Sequence, residues 1–181
     1  MHSGRQPIGD DVSTWAMAAR RGDLAAQAAF VRATQAQVWR FVASLVDPAS
    51  ADDLTQETYL RAFRALAAYE GRASARTWLL GIARRVCADH IRLVTRHRRL
   101  AARLTAEPTT NGGDPADPLS AADLLHRLPE DRRAAFALTQ VLGLSYAEAA
   151  EAEGVPIGTI RSRVARARIE LVDAVQAALA S

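Results

Sequence analysis

The chain has 181 residues, 49% of them hydrophobic and 6% aromatic, with 23 basic and 20 acidic side chains and a formal net charge of +3. That length suits one ordinary domain or two small ones, and the apolar fraction excludes a wholly disordered chain. No window approaches the ~20 apolar residues of a membrane span. Residues 1–11 are polar, with Asp10 and Asp11, and form no secretory signal; the lone Cys87 excludes an internal disulfide. A soluble cytoplasmic protein with no membrane contact is expected.

The predicted elements are all helical. Over 23–46, Leu24, Ala28, Val31, Val38, Phe41, Val42 and Leu45 recur at helical spacing, and Asp47-Pro48 stops the run. Ser50 or Asp52 then caps a helix running through Leu54, Thr58, Arg61 and Leu66. A third helix spans 77–99, with Leu79, Ile82, Ala83, Val86 and Ile91 apolar. Residues 105–118 read TAEPTTNGGDPADP, with three prolines, two glycines and no large apolar residue, so they form a linker. Fully extended, it reaches about 45 Å. Beyond it come short helices over 121–128 and 129–142, the second ended by Gly143. No alternating strand pattern is found. The expectation is an all-α chain: a tail at 1–14, a helical domain at 15–104, a linker at 105–118 and a second domain at 119–181.

Residues 146–168, YAEAAEAEGVPIGTIRSRVARAR, have the offsets of a helix-turn-helix. Small Ala150 lets the second helix approach, Gly154 frees the turn, Pro156 sits where its missing N–H costs nothing, and Ile160 plugs the shared core. Ile160, Val164, Ala167 and Leu171 should face inward. Gly158, Thr159, Arg161, Ser162, Arg163 and Arg166 then form a helix end chemically fit for the DNA major groove, whose amides can also hold a phosphate. An amphipathic helical hairpin that binds no DNA is the alternative.

Charge is arranged in blocks. All 23 basic residues are arginine, whose planar fork suits phosphates and guanines. Residues 61–104 hold eleven arginines against Glu70 and Asp89, and 161–168 hold four and no acid. Residues 52–60, 105–123 and 146–160 are acidic. Two basic clusters far apart in sequence point to two surfaces that meet polyanion, with solvated helix faces as the alternative.

Two further stretches are specific: DDLTQETYLRA at 52–62 and YEGRASARTWLLGIARR at 69–85. With the helix-turn-helix after a linker, they resemble extracytoplasmic-function (ECF) sigma factors of the sigma-70 family, over about residues 15–175. The resemblance implies a sigma region 2 bundle at 15–104 and a region 4 helix-turn-helix at 119–181. It implies core RNA polymerase and promoter DNA as partners, with region 2 reading and opening the −10 element and region 4 reading −35. It also implies an anti-sigma protein as regulator.

The segment holding Asp52, Asp53, Gln56, Glu57 and Arg61 matches the family's core-docking helix; Asp53, Glu57 and Arg61 are four apart on one face. The stretch with Tyr69, Gly71, Arg72, Ala73 and Ser74 matches the loop that captures a −10 base, with Arg76, Arg84, Arg85 and Arg92 set against the DNA backbone. Position 85, commonly Asn in the family, is Arg, and position 75, often aromatic, is Ala, so the usual −10 base preference is not carried over. Trp15, Trp39 and Trp78 are expected to pack. In the family the linker threads the polymerase cleft, where Glu107, Asp114 and Asp117 would mimic nucleic acid. Free protein should bind promoter duplex weakly, since polymerase sets the spacing of the halves and the free chain masks their basic surfaces.

No enzymatic activity is expected. Cys87 and His90 make one C-x-x-H pair without a second, too few ligands for zinc. Phosphate loops, nucleophile elbows and paired catalytic carboxylates are missing, so no cofactor is expected. Two other readings compete. A stand-alone helix-turn-helix regulator would carry a sensor or dimerisation domain where this chain has arginine-rich helices. A protein-only helical adaptor would show no salt-dependent DNA affinity.

Overall fold

In the computed structural model, residues 8–105 and 120–179 are described; the expected linker lies almost wholly outside them. Eight α-helices and no strand occur among these residues: α1 (Ile8–Arg20), α2 (Leu24–Leu45), α3 (Pro48–Ala65), α4 (Ala75–Thr105), α5 (Ala121–Arg127), α6 (Glu130–Phe136), α7 (Tyr146–Glu153) and α8 (Ile157–Leu179). None is long and apolar enough to cross a membrane.

The first half is a bundle of α1 to α4. Asp23 caps α2 by accepting from the Ala26 amide at 3.0 Å. The cap of α3 is Asp47, which accepts from the Ala49 amide at 3.1 Å, rather than Ser50 or Asp52. Pro48 explains the earlier start, because its fixed φ and missing N–H suit the first helical position. Helix α1 begins at Ile8, inside the segment expected as a tail. Its buried Val12, Ala16 and Ala19 close one side of the bundle; a helix rich in alanine carries little periodic signal.

Phe30, Val38, Phe41, Val42 and Leu45 of α2 meet Leu79, Leu80, Ile82, Ala83 and Val86 of α4 in the core. Tyr59 of α3 joins them through a 2.7 Å bond between its hydroxyl and Thr34 Oγ1. Thr34 also lies 2.7 Å from the Phe30 carbonyl, to which it donates, so the Tyr59 hydroxyl is the donor to Thr34. Burial outweighs that bond and pushes the Tyr59 pKa up to about 12.

Cys87 of α4 is fully buried, and burial pushes its thiol up to about 12. The thiolate is the reactive species. Cys87 is therefore expected to resist a thiol-specific colorimetric reagent in the native protein and to react at once in denaturant. Rapid native-state labelling would contradict its placement.

In the second half, α6 continues through a π turn (Ala137–Val141) to Leu142, with the Leu142 amide donating to the Ala137 carbonyl at 2.9 Å. Ser145 and Glu148 form a reciprocal capping box on α7. Gly154 ends α7 at φ 67°, a left-handed conformation that favours glycine. Ala150, Ile160, Val164 and Ala167 are buried as expected of the helix-turn-helix, and Leu171 is half-buried.

The two halves pack together. Helix α7 lies along α4, and α6 lies against α2. Gly81 of α4 is where the first pair comes closest: a Cβ there would sit 3.0 Å from the Ala152 carbonyl oxygen. Arg133 of α6 donates to the Leu45 carbonyl at 3.1 Å, and Arg76 of α4 to the Leu142 carbonyl at 2.6 Å.

Candidate nucleic-acid and protein interfaces

Alternation of buried and exposed turns places the acidic face of α3 outward. Ala51, Thr55, Thr58 and Tyr59 point into the core, leaving Asp52, Asp53 and Gln56 exposed with Glu57 and Arg61 half-exposed. Arg61 bridges Glu57 and Asp89 of α4, each at 2.7 Å. Asp89 also holds Arg92 at 2.5 Å. These partners, first Arg61 and then Arg92, keep the Asp89 carboxyl below the usual range. Trp39 extends the surface: it is 43% exposed and donates from Nε1 to Asp52 Oδ1 at 2.7 Å. The expectation that Trp39 packs is thus corrected. It follows the buried Val38 by one position, a 100° turn that carries it out of the core.

The loop before α4 is built around Tyr69. Its side chain is buried, its ring lies against Trp78 with centroids 4.9 Å apart, and its hydroxyl donates to the Ala73 carbonyl at 2.8 Å. Gly71, at φ 75°, carries the chain over the top. Tyr69 thus shapes the loop from beneath. Ser74 caps α4, its Oγ accepting from the Thr77 amide at 3.1 Å. The outcome is a cleft of about 360 Å³ lined by Tyr69, Gly71, Arg72, Ala73, Trp78 and, from the other half of the chain, Glu151. Trp78 is half-buried and contributes to both core and cleft.

The arginines of α4 divide. Arg85 and Arg92 are exposed. Arg76 and Arg84 instead face the second half. Arg84 is 16% exposed and pairs with Glu130 at 2.5 Å and Glu153 at 3.2 Å. Burial opposes its charge, but the two carboxylates outweigh burial and raise its pKa above the ordinary value. Arg76 loses that contest, and burial lowers its pKa.

On α8, Gly158, Arg161, Ser162 and Arg166 are exposed and Thr159 half-exposed, on the side away from Ile160 and Val164. Arg163 is drawn inward: it pairs with Glu153 at 2.9 Å and Asp131 at 3.2 Å and is 22% exposed. Every predicted site residue is thus accounted for, but they do not form one surface. Glu130, Asp131, Glu151 and Glu153 were missing from the sequence reading of the site; Glu151 and Glu153 entered it only within an acidic stretch and Glu130 and Asp131 not at all, because their partners lie on other elements.

Among the described residues, no cluster of three or more His, Cys, Asp or Glu could hold a metal ion.

An arginine-bearing helix beside a cleft, followed by a helix-turn-helix, fits the order of regions that the resemblance to sigma-70 factors implies. Two family models match the chain in that order: Sigma-70 region 2 over residues 30–97 and Sigma-70, region 4 over residues 119–171. Over 165 residues, the chain is 50% identical to the ECF RNA polymerase sigma factor SigC of Mycobacterium tuberculosis (strain CDC 1551 / Oshkosh), covering 89% of each chain. It is 32% identical over 174 residues to the ECF RNA polymerase sigma-E factor of Escherichia coli (strain K12), covering 87% of this chain and 90% of that one. Among solved structures, RpoE of Bartonella quintana, in complex with the anti-sigma factor NepR, aligns at TM-score 0.67 and 27% identity over 81% of this chain and 94% of its own. CnrH, in complex with the cytosolic domain of CnrY, shares the fold at TM-score 0.72 and 24% identity, over 93% and 99% of the two chains.

The chain belongs to the ECF sigma-70 family, and it is an alternative RNA polymerase sigma factor that directs promoter-specific initiation.

Proposed function

We propose that the three surfaces divide the work of initiation. The α3 face, Asp52, Asp53, Gln56, Glu57 and Arg61, docks on core RNA polymerase. The loop over 69–74, with Arg76, Arg84, Arg85 and Arg92 of α4, takes the −10 strand: a base enters the cleft over Trp78 while the arginines neutralise phosphates. Since Tyr69 is buried and Ser74 is engaged in a cap, recognition there rests on the backbone of Gly71 to Ala73 and on Arg72. The N-terminal end of α8, with Gly158, Thr159, Arg161, Ser162, Arg163 and Arg166, enters the −35 major groove. Catalysis belongs to the core enzyme, and the chain works in the cytoplasm without a cofactor. The region 2 half covers 15–104, extended by α1 back to Ile8, and the region 4 half 119–181. The anti-sigma complex of the Bartonella relative supports a protein inhibitor as a further partner.

The observation that carries this reading is the outward set of Arg161, Ser162 and Arg166 on the second helix of the helix-turn-helix, paired with a base-sized cleft at the matching region 2 loop. The decisive assay is run-off transcription with purified core polymerase on a fragmented genomic library, sequencing RNA 5′ ends. Start sites that depend on this protein are expected, with two shared elements upstream. Absence of such starts despite verified core binding overturns the division of labour.

The docking surface has its own test. Asp53→Ala combined with Glu57→Ala should weaken binding to core polymerase about tenfold or more, as truncation at an interface hot spot does. Binding of the free chain to random duplex should not fall. Equal loss of both activities would show the surfaces to be misassigned.

A further inference from the structure

Helix α1 lies outside the residues that the region 2 model matches, which begin at 30, and it belongs to none of the three surfaces above. It nevertheless holds the loop over 69–74 at both ends. Arg20 donates from Nη1 to the Tyr69 carbonyl at 3.0 Å, where the loop begins. Ser13 Oγ accepts from the Ala75 amide at 3.1 Å, where the loop gives way to α4. Ala75 is fully buried, and its amide is one of the four at the head of a helix that have no partner within it. Ser74 caps the Thr77 amide, and α1 supplies the acceptor for Ala75. Ser13 and Arg20 are seven residues apart, two helical turns, which sets them on one face of α1 about 10 Å apart. Val12, Ala16 and Ala19 are buried and fix that helix to the bundle. Burial raises the pKa of Tyr69 and hydrogen bonding with Ser13 opposes it, so the same serine also meets the side chain that shapes the loop from beneath.

We propose that α1 is the mount of the −10 loop, and that Ser13 and Arg20 are positioning residues for base capture: they set the span and tilt of residues 69–75 without touching DNA. The proposal deepens the reading of 69–74 as the −10 loop and rests on it. Glu70, Gly71 and Arg72 are exposed, so burial does little to order the top of the loop. Its shape depends on three tethers: the Tyr69 hydroxyl on the Ala73 carbonyl, Arg20 on the Tyr69 carbonyl and the Ala75 amide on Ser13. The first lies within the loop, and only the other two fix the loop to the bundle. The Arg20 bond is charge-assisted, the stronger class of hydrogen bond. Backbone groups of Gly71 to Ala73 can discriminate a base edge only from a fixed place, within about 0.5 Å of the productive geometry. Sequence preference at −10 therefore depends on a helix some fifty residues upstream of the residues that read it.

The test uses the full chain, alone and in holoenzyme. In the free chain, hydrogen exchange read by NMR should be about 2- to 10-fold faster at the Ala75 amide in Ser13→Ala, the worth of one hydrogen bond, and at the amides of 70–73 in Arg20→Ala. Helical content by circular dichroism should match the parent's. In holoenzyme, open-complex formation is compared on promoters from the run-off map carrying single-base changes in either element. Both variants should narrow the −10 preference about 2- to 10-fold and leave the −35 preference unchanged, while Ser13→Thr, which keeps the hydroxyl, behaves as the parent. Parent-like exchange in both variants would overturn the mount. Arg72→Ala, within the loop, separates the remaining cases. If it narrows the −10 preference and the α1 variants do not, α1 does not position the loop for capture. If none of the three does, the −10 reading of the loop fails, while faster exchange still upholds the mount. A log affinity–log salt slope lowered by about 0.9 in Arg20→Ala would make Arg20 a phosphate contact and overturn its positioning role.

Discussion

Arg166→Ala is expected to reduce transcription from −35-dependent promoters by about 5- to 150-fold, the equivalent of the 1–3 kcal/mol that a base-reading contact supplies. Arg166 is exposed on α8, on the side proposed above to enter the groove, and points away from the buried Ile160 and Val164. The variant should keep the parent's thermal stability and core affinity while losing promoter discrimination. Arg163→Ala should behave differently. It removes an arginine of the proposed −35 set and at the same time strands Glu153, whose other partner is Arg84. Its transcription defect should therefore come with altered stability of the free protein, whereas that of Arg166→Ala should not. Run-off assays on promoters with intact and scrambled −35 elements, alongside thermal melts, separate the two. Identical behaviour in both assays would mean that Arg163 has no role at the seam.

The second large effect concerns the scaffold that positions all three surfaces. Phe41 is fully buried between α2 and its partners. Phe41→Ala is expected to cost about 3–5 kcal/mol through lost burial and the cavity left behind. Domains of this kind have about 5–15 kcal/mol in total, so a large share of the folded state would be lost. Urea denaturation should show the midpoint falling, and transcription should fall with the folded fraction. The exposed Leu24, 75% accessible at the start of the same helix, provides the contrast: Leu24→Ala should change stability by no more than about 0.5 kcal/mol. A mild Phe41→Ala phenotype would mean that the core is not assembled as described.

Local signals read well from the chain. The spacing of Val38, Phe41, Val42 and Leu45 marks the buried face of α2, and Asp47-Pro48 marks the α2–α3 junction. Ala150, Gly154 and Ile160 announce the helix-turn-helix because each answers a short-range steric demand: a close crossing, a left-handed turn and a shared plug. The motifs at 52–62 and 69–85 carried the family. Where the reading slipped, competition between neighbours was responsible. Pro48 drew the α3 start to Asp47, Trp39 turned out of the core, and alanine-rich α1 offered too little periodicity to be seen.

By itself, then, the sequence determined the helices from α2 onward, the order of the two sigma regions and the candidate residues on each, because those depend on interactions within a few residues. Tertiary structure alone decided which of those residues face outward together. Arg84 and Arg163 are 79 positions apart and have no local reason to meet, yet one buried carboxylate holds both. Arg61 finds Asp89 across 28 positions, and the region 2 cleft takes part of its wall from Glu151. Such pairings follow from how apolar faces bring α4, α6, α7 and α8 into contact, a consequence of the whole packed core that no single stretch of chain encodes.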